Sequence, residues 1–257
     1  MSKNVNVMKE KLIHLYEQNS KHSNYQILAS NFEGIIDTAE LDIVSRYEKE
    51  RLEYIVSKID VKNKVIMDIG GNSGYFTFEL SNLDAKQVEY YEGNLAHAEF
   101  VDTSVELFDL RSKININKKY YSFNENKKAD IIFLLNVVHH LGDDYNCASD
   151  INNAKEKMLD DINGLAFNCN LLVFQMGFNW KGNVNKGLFQ NGTKREMIDF
   201  LSKGLEKNWE IVSIGVAEKD DGTIMYKDLN NKNIERNNEL GEFLNRPIFI
   251  LRSLGVY

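Results

Sequence analysis

Proline is almost missing from this chain: Pro247 is the only one in 257 residues. No stretch rich in glycine or serine takes its place, so no flexible or stiff linker divides the sequence. Cysteine is scarce too. Cys147 and Cys169 form no CxxC pair, which excludes a disulfide framework and a zinc knuckle and leaves two thiols expected to be buried or neutral. No apolar run approaches the roughly 18 residues of a membrane span. The opening MSKNVNVMKEKLIHLYEQ carries charges where a signal peptide needs an apolar core, so a cytoplasmic protein is expected. Positive charge is also in deficit: 31 Lys and Arg against 38 Asp and Glu give a net charge of -7. That balance weighs against nucleic acid and anionic membranes as partners and favours a small-molecule substrate. Nothing in the sequence indicates a homodimer.

What is present is alternation. Apolar strands are expected at Lys64–Ile69, Gln87–Tyr91, Lys119–Phe123, Ala129–Leu135, Asn170–Met176, Trp209–Val216 and Pro247–Arg252. Helical patterns fall between them at Tyr75–Leu83, from Leu95 to near Leu110, at Ser149–Leu165 and after Thr193. There Thr193 and Glu196 form a capping-box pattern. Strands that are near-continuously apolar and alternate with helices predict an α/β, Rossmann-like sheet of seven strands, mostly parallel, with helices on both faces. Ahead of it, Val7–Gln18 and Leu41–Ile59 predict an N-terminal helical cap or lid over residues 1–60, followed by one catalytic domain over 61–257. The charged, Asn-rich stretch 217–245 reads as a surface excursion between the last two strands.

The segment VIMDIGGNSGYFTFEL, residues 65–80, reads as a strand, a glycine turn and a helix. A dinucleotide fingerprint starting at Gly70 needs glycine at positions 70, 72 and 75, where this chain has Gly70, Asn72 and Tyr75. An Asn side chain crowds a pyrophosphate, and a tyrosine obstructs the close helix–strand packing that the third glycine permits. No Gly-Lys-Ser/Thr follows, so the P-loop pattern fails as well. The pattern that fits is D-x-G-x-[G/N]-x-G, with Asp68, Gly70, Asn72 and Gly74.

With these residues the chain resembles the class I S-adenosylmethionine-dependent methyltransferases over roughly residues 60–215. The resemblance implies S-adenosyl-L-methionine as cofactor, a Rossmann-like fold and no metal. It implies that Asp68, Gly70, Gly71, Asn72, Gly74, Tyr75 and Phe76 hold the methionine part. Glu92, 18 residues after Gly74 at the end of the second strand, is expected to accept the ribose hydroxyls, with Gly93 and Asn94 beside it. Adenine contacts are expected from Phe123 and Asn124 at the end of the third strand. Asn136 and Val137, at the end of the fourth, match positions beside the transferable methyl. The single proline excludes the nucleotide N-methyltransferases that carry an Asn-Pro-Pro-Tyr loop.

Methyl transfer to a hydroxyl needs a base as well as alignment. His139 and His140 follow the fourth strand and are the candidates for it, one residue apart. Tyr25 and Gln26 in the polar run Lys21–Gln26, Arg51 on the next helix, and Asn179 and Trp180 after the fifth strand are the candidate substrate contacts. The reading is thus a methyltransferase acting on a small molecule, at oxygen. An RNA-modifying enzyme and a non-catalytic cofactor-binding module are the alternatives. The Asn- and Lys-rich, proline-poor composition is that of a low-GC bacterium, where chains of this size often modify surface glycans or their sugar-linked precursors.

Overall fold

A computed structural model of the chain describes residues 3–18 and 22–255. Lys21, the first residue of the polar run considered above, lies outside the described residues. The elements in order are α1 (Lys3–Glu17), α2 (Glu48–Lys58), β1 (Val65–Ile69), α3 (Tyr75–Asn82), β2 (Gln87–Tyr91), α4 (Leu95–Leu107), β3 (Ile114–Asn117) and β4 (Ala129–Leu135). They continue with α5 (Ile151–Leu165), β5 (Cys169–Gln175), α6 (Lys194–Leu205), β6 (Trp209–Asp220), β7 (Thr223–Asp228), α7 (Gly241–Leu244) and β8 (Ile248–Ser253). The sheet is mostly parallel and has eight strands where the alternation predicts seven. Residues 1–48 and 61–121 form one compact unit, and residues 49–60 and 122–257 a second. The segment expected as a single cap therefore contributes to both.

In the first unit the strands run β3-β2-β1, all parallel, with Val65 opposite Gln87 and Val88 opposite Ile114. Nearly every side chain of β1 and β2 is buried, as continuous apolar runs require. α4 starts where the Asn94 side chain accepts hydrogen bonds from the backbone N–H groups of Ala96 and His97. The N-terminal segment is held by aromatic packing. Phe32 stacks on Phe100 at 5.4 Å and meets Phe78 and Phe108 edge-on at 5.6 and 5.0 Å. Residues 41–47, expected as the first turns of a helix, are not helical. Instead Glu48 accepts hydrogen bonds from the Ser45 hydroxyl and the Arg46 N–H, so the helix begins at Glu48.

In the second unit the order is β4-β5-β8-β6-β7. β4 and β5 are parallel, and β8 is antiparallel to both β5 and β6. The eighth strand is β7, in the stretch expected to be a surface excursion. It pairs with β6 through the two-residue turn Asp221-Gly222, whose φ angles are 45° and 83°. Both central residues are left-handed, as the tightest hairpin turns demand. α2 lies on this hairpin: the Tyr54 hydroxyl donates to Asp228 at 2.9 Å and Lys58 pairs with the same carboxylate at 2.7 Å. A Cβ on Gly215 would meet the Tyr54 ring at 2.3 Å, so that strand position has room only for glycine. The capping box expected at Thr193 and Glu196 is present. Cys169 is buried, and burial raises its thiol pKa; Cys147 is exposed.

Candidate functional site

The glycine turn after β1 winds through three left-handed residues, Gly70, Asn72 and Gly74, with φ of 72°, 52° and 84°. Asn at the middle position is tolerated because its short polar side chain bonds locally: its Oδ1 accepts from the Ser73 N–H at 2.7 Å. A Cβ on Gly71 would meet the Tyr90 ring at 2.6 Å, and one on Gly74 would meet Val101 at 2.8 Å. Gly74 thus provides the close packing that a dinucleotide fingerprint assigns one residue later.

Every backbone N–H of the turn has a partner within the unit. Gly70 and Gly71 donate to the Tyr91 carbonyl, and Gly74 donates to Gly71. Asn72 donates to the Glu92 carboxylate at 2.9 Å, and Tyr75 donates to the Gln26 side chain at 2.9 Å. The second Glu92 oxygen accepts from the Asn94 N–H at 2.7 Å. Glu92 therefore braces β2 against the turn. Asp68 is 3% exposed and accepts from the Thr77 hydroxyl at 2.7 Å; burial outweighs that bond and pushes its pKa up to about 6.

The segment 22–26 lies along the turn. Gln26 is buried, and its side-chain oxygen also accepts from the Ser73 hydroxyl at 3.1 Å. The Asn72 amide donates to the His22 carbonyl at 3.1 Å. Gln26, expected to contact substrate, is instead the cap of α3. A side chain committed to Ser73 and Tyr75 has no acceptor oxygen turned outward. Tyr25 is 43% exposed, with the Arg46 guanidinium 4.6 Å above its ring. Tyr75 and Phe76 are both buried and meet edge-on at 5.4 Å, so their rings belong to the core. A small cleft beside the turn, of about 10 Å³, is lined in part by Asn24, Asn72, Ser73 and His97. Burial, reinforced by His22, lowers the His97 pKa to about 4.

Beyond β2, Gly93 faces the ring of Tyr120, which would sit 2.3 Å from a Cβ there. Tyr120 and Leu95 are exposed, at 51% and 69%. Sequence reasoning missed this apolar pair because it places the third strand at 119–123, whereas β3 ends at Asn117. Phe123 and Asn124 consequently lie six and seven residues past the strand. Phe123 packs on Tyr145 at 5.2 Å and Asn124 is exposed.

In the second unit, the end of β4 is organised by Asn136, another left-handed residue with φ 63°. Its amide donates to the Gln175 side-chain oxygen at 2.9 Å, its oxygen accepts from Arg246 Nη1 at 2.8 Å, and its N–H bonds the Gln175 carbonyl. Arg246 forks onto Glu242, which also accepts from the Phe178 N–H at 3.1 Å. Arg51 is buried, donates to Gln175 at 3.4 Å and lies 5.3 Å from the Phe243 ring. Arg246, Glu242 and Gln175 were not among the expected residues, since nothing local marks them. Val137, half-buried, leads into the turn that carries the histidines.

The two histidines differ. His139 is 2% exposed, and its Nδ1 accepts from the Gly177 N–H at 3.1 Å. In its neutral form the proton must then be on Nε2, and its only lone pair is engaged. His140 places Nδ1 3.7 Å from the Asp144 carboxylate and 4.0 Å from that of Asp143. The loop after β5 braces this turn: the Trp180 indole donates to the Leu141 carbonyl at 2.7 Å and Lys181 to the Gly142 carbonyl at 2.6 Å. Trp180 is 6% exposed, so it serves as a brace where a substrate wall was expected. Asn179 is half-buried and bridges to Gly187.

No family model and no curated protein sequence matches the chain. Its fold is similar to solved structures. One is a Pyrococcus horikoshii protein provisionally assigned as an RNA methyltransferase, 14% identical, covering 97% of this chain and 100% of that one, with a TM-score of 0.50. Another is the bifunctional kinase-methyltransferase WbdD, 11% identical, covering 94% of this chain and 46% of that one, with a TM-score of 0.60. This chain thus spans under half the length of WbdD. The fold is that of the class I methyltransferases.

Proposed function

We propose that the protein transfers a methyl group from S-adenosyl-L-methionine to an oxygen of a small-molecule acceptor. The observation that carries this reading is the turn between β1 and α3. A pyrophosphate cradle needs free N–H groups at that turn. Here all six from Gly70 to Tyr75 are bonded within the protein, one of them to the Glu92 carboxylate. A negative charge already on the turn repels phosphate and suits a cofactor that presents hydroxyls and a positive centre.

The cofactor supplies a methyl group already activated by its sulfonium. Glu92, at the end of β2 and bonded to the Asn72 and Asn94 N–H groups, would hold the ribose hydroxyls. Gly93, Leu95 and Tyr120 offer an apolar surface for the adenine ring. Asn136 and Val137 line the methyl side. His140 is the base that removes the acceptor proton, oriented by Asp144. His139, with its lone pair on Gly177, donates from Nε2 and positions.

The assay is transfer of labelled methyl from the cofactor to a panel holding sugar-linked glycan precursors, simple hydroxy compounds and unmodified tRNA. Label in the first two classes supports the reading. Label only in tRNA supports RNA modification, the activity provisionally assigned to the Pyrococcus neighbour. His140→Asn is expected to lower turnover about 100-fold or more, the usual range for removing a general base, with unchanged affinity for S-adenosylhomocysteine. Loss of turnover in His139→Asn alone would move the base by one residue.

A further inference from the structure

The polar cluster around Arg246 exceeds what holding Asn136 requires. A guanidinium carries five N–H protons. Nε and Nη2 of Arg246 donate to Glu242, and Nη1 donates to Asn136. One proton on Nη1 and one on Nη2 therefore have no acceptor among the described residues. The side chain is 14% exposed, so a ligand can reach them. Close by, Tyr226 on β7 is 8% exposed; the Gln175 side chain approaches its oxygen, and among the described residues no acceptor takes its hydroxyl proton. An unsatisfied buried hydroxyl costs about 1–3 kcal/mol, and a site retains one where a ligand or water completes it.

The surroundings favour an anion. Burial holds the Tyr226 hydroxyl up at about 12, a neutral donor at physiological pH, against the Arg51 guanidinium, the Gln175 side chain and the Arg246 guanidinium, which pull the other way. The carboxylates nearby are Glu242, already forked by Arg246, and Glu50. The Phe243 ring lies 5.3 Å from the Arg51 guanidinium and 5.0 Å from that of Arg246, an apolar wall that keeps water from weakening the charges. A planar guanidinium edge with adjacent donors matches the paired oxygens of a carboxylate or phosphate.

We propose that this cluster is an oxyanion subsite for the acceptor. A carboxylate or phosphate group of the substrate takes the two uncommitted Arg246 protons and the Tyr226 hydroxyl, next to Asn136 at the end of β4. The proposal rests on the acceptor side of the site lying at that strand end, and it narrows the substrate class to acidic small molecules.

The test titrates inorganic phosphate and, separately, acetate into the full chain, with chloride at matched ionic strength as the blank, reading the thermal midpoint. The same samples are assayed calorimetrically for S-adenosylhomocysteine. Saturable stabilisation by at least one oxyanion is expected, with the dissociation constant raised about tenfold or more in Arg246→Gln and several-fold in Tyr226→Phe. The stronger of the two anions identifies the group. No saturable response up to about 50 mM, where even a very weak ion site fills, or an equal response in wild type and Tyr226→Phe, overturns the proposal. Tyr226→Phe removes one hydroxyl and keeps the packing, so it decides the matter if Arg246→Gln does not fold. Binding of S-adenosylhomocysteine without an anion response sinks the subsite alone; an anion response without that binding sinks the cofactor reading alone.

Discussion

A carboxyl group buried beside a glycine turn is a burden at neutral pH. Asp68 has a pKa of about 6 in the folded chain against an ordinary 3.8, so its favourable contribution is complete below about 3.8 and is lost as pH rises through 6. Asp68→Asn should therefore raise stability at pH 8 by about 3 kcal/mol, an order-of-magnitude figure from roughly two pK units, with the gain vanishing near pH 4. Thermal midpoints across that range check it; a variant equally weakened at both ends would show that Asp68 is held by its charge. His97 has the opposite sign. Its pKa is lowered from 6.5 to about 4, so its neutral form contributes above 6.5 and that contribution is lost as pH falls through 4. His97→Gln should flatten the acid limb of the same curve. The left-handed turn position of Asn72 was legible from its residue type. The bond from the Gly177 N–H to the His139 Nδ1 was not, because Gly177 lies 38 residues further along.

Among the elements, long apolar strands and capped helices were legible and amphipathic edges were not. The β7 edge strand escaped notice because its exposed face is charged, although Asp221-Gly222 is a strong hairpin signal. The third strand was misplaced because Tyr120 and Tyr121 look β-prone, while Tyr121 in fact leaves the strand to pack edge-on against Tyr91 at 5.1 Å. The N-terminal segment depends on Phe32, which is 1% exposed. Phe32→Ala should cost about 3–5 kcal/mol and expose residues 22–40 to limited proteolysis before the rest of the chain. Uniform protection would mean that other contacts hold the segment. Trp180→Phe keeps the ring and loses the bond to Leu141. It should lower kcat several-fold with KM unchanged, whereas a raised KM would restore Trp180 to the substrate wall.

At the scale of the whole molecule, the stretch that reads as a solvated excursion supplies Glu242, which grips Arg246 just past its end and so reaches the end of β4. Its charged, Asn-rich composition hides this, since docking over more than a hundred residues of separation leaves no local periodicity. Among the described residues no helix is long and apolar enough to cross a membrane. The sheet and its turn follow from patterns that sequence displays; the cluster of Asn136, Gln175, Glu242 and Arg246 follows from contacts that only the folded chain assembles. The central claim is that the turn is built for S-adenosylmethionine and closed to pyrophosphate. Isothermal calorimetry with S-adenosylhomocysteine and with NAD, on wild type and Glu92→Ala, tests it most directly. S-adenosylhomocysteine should bind one per chain, weakened at least about tenfold by the loss of two hydrogen bonds to a charged group, and NAD should not bind. Binding of NAD, or equal affinity for S-adenosylhomocysteine in both proteins, would contradict the account.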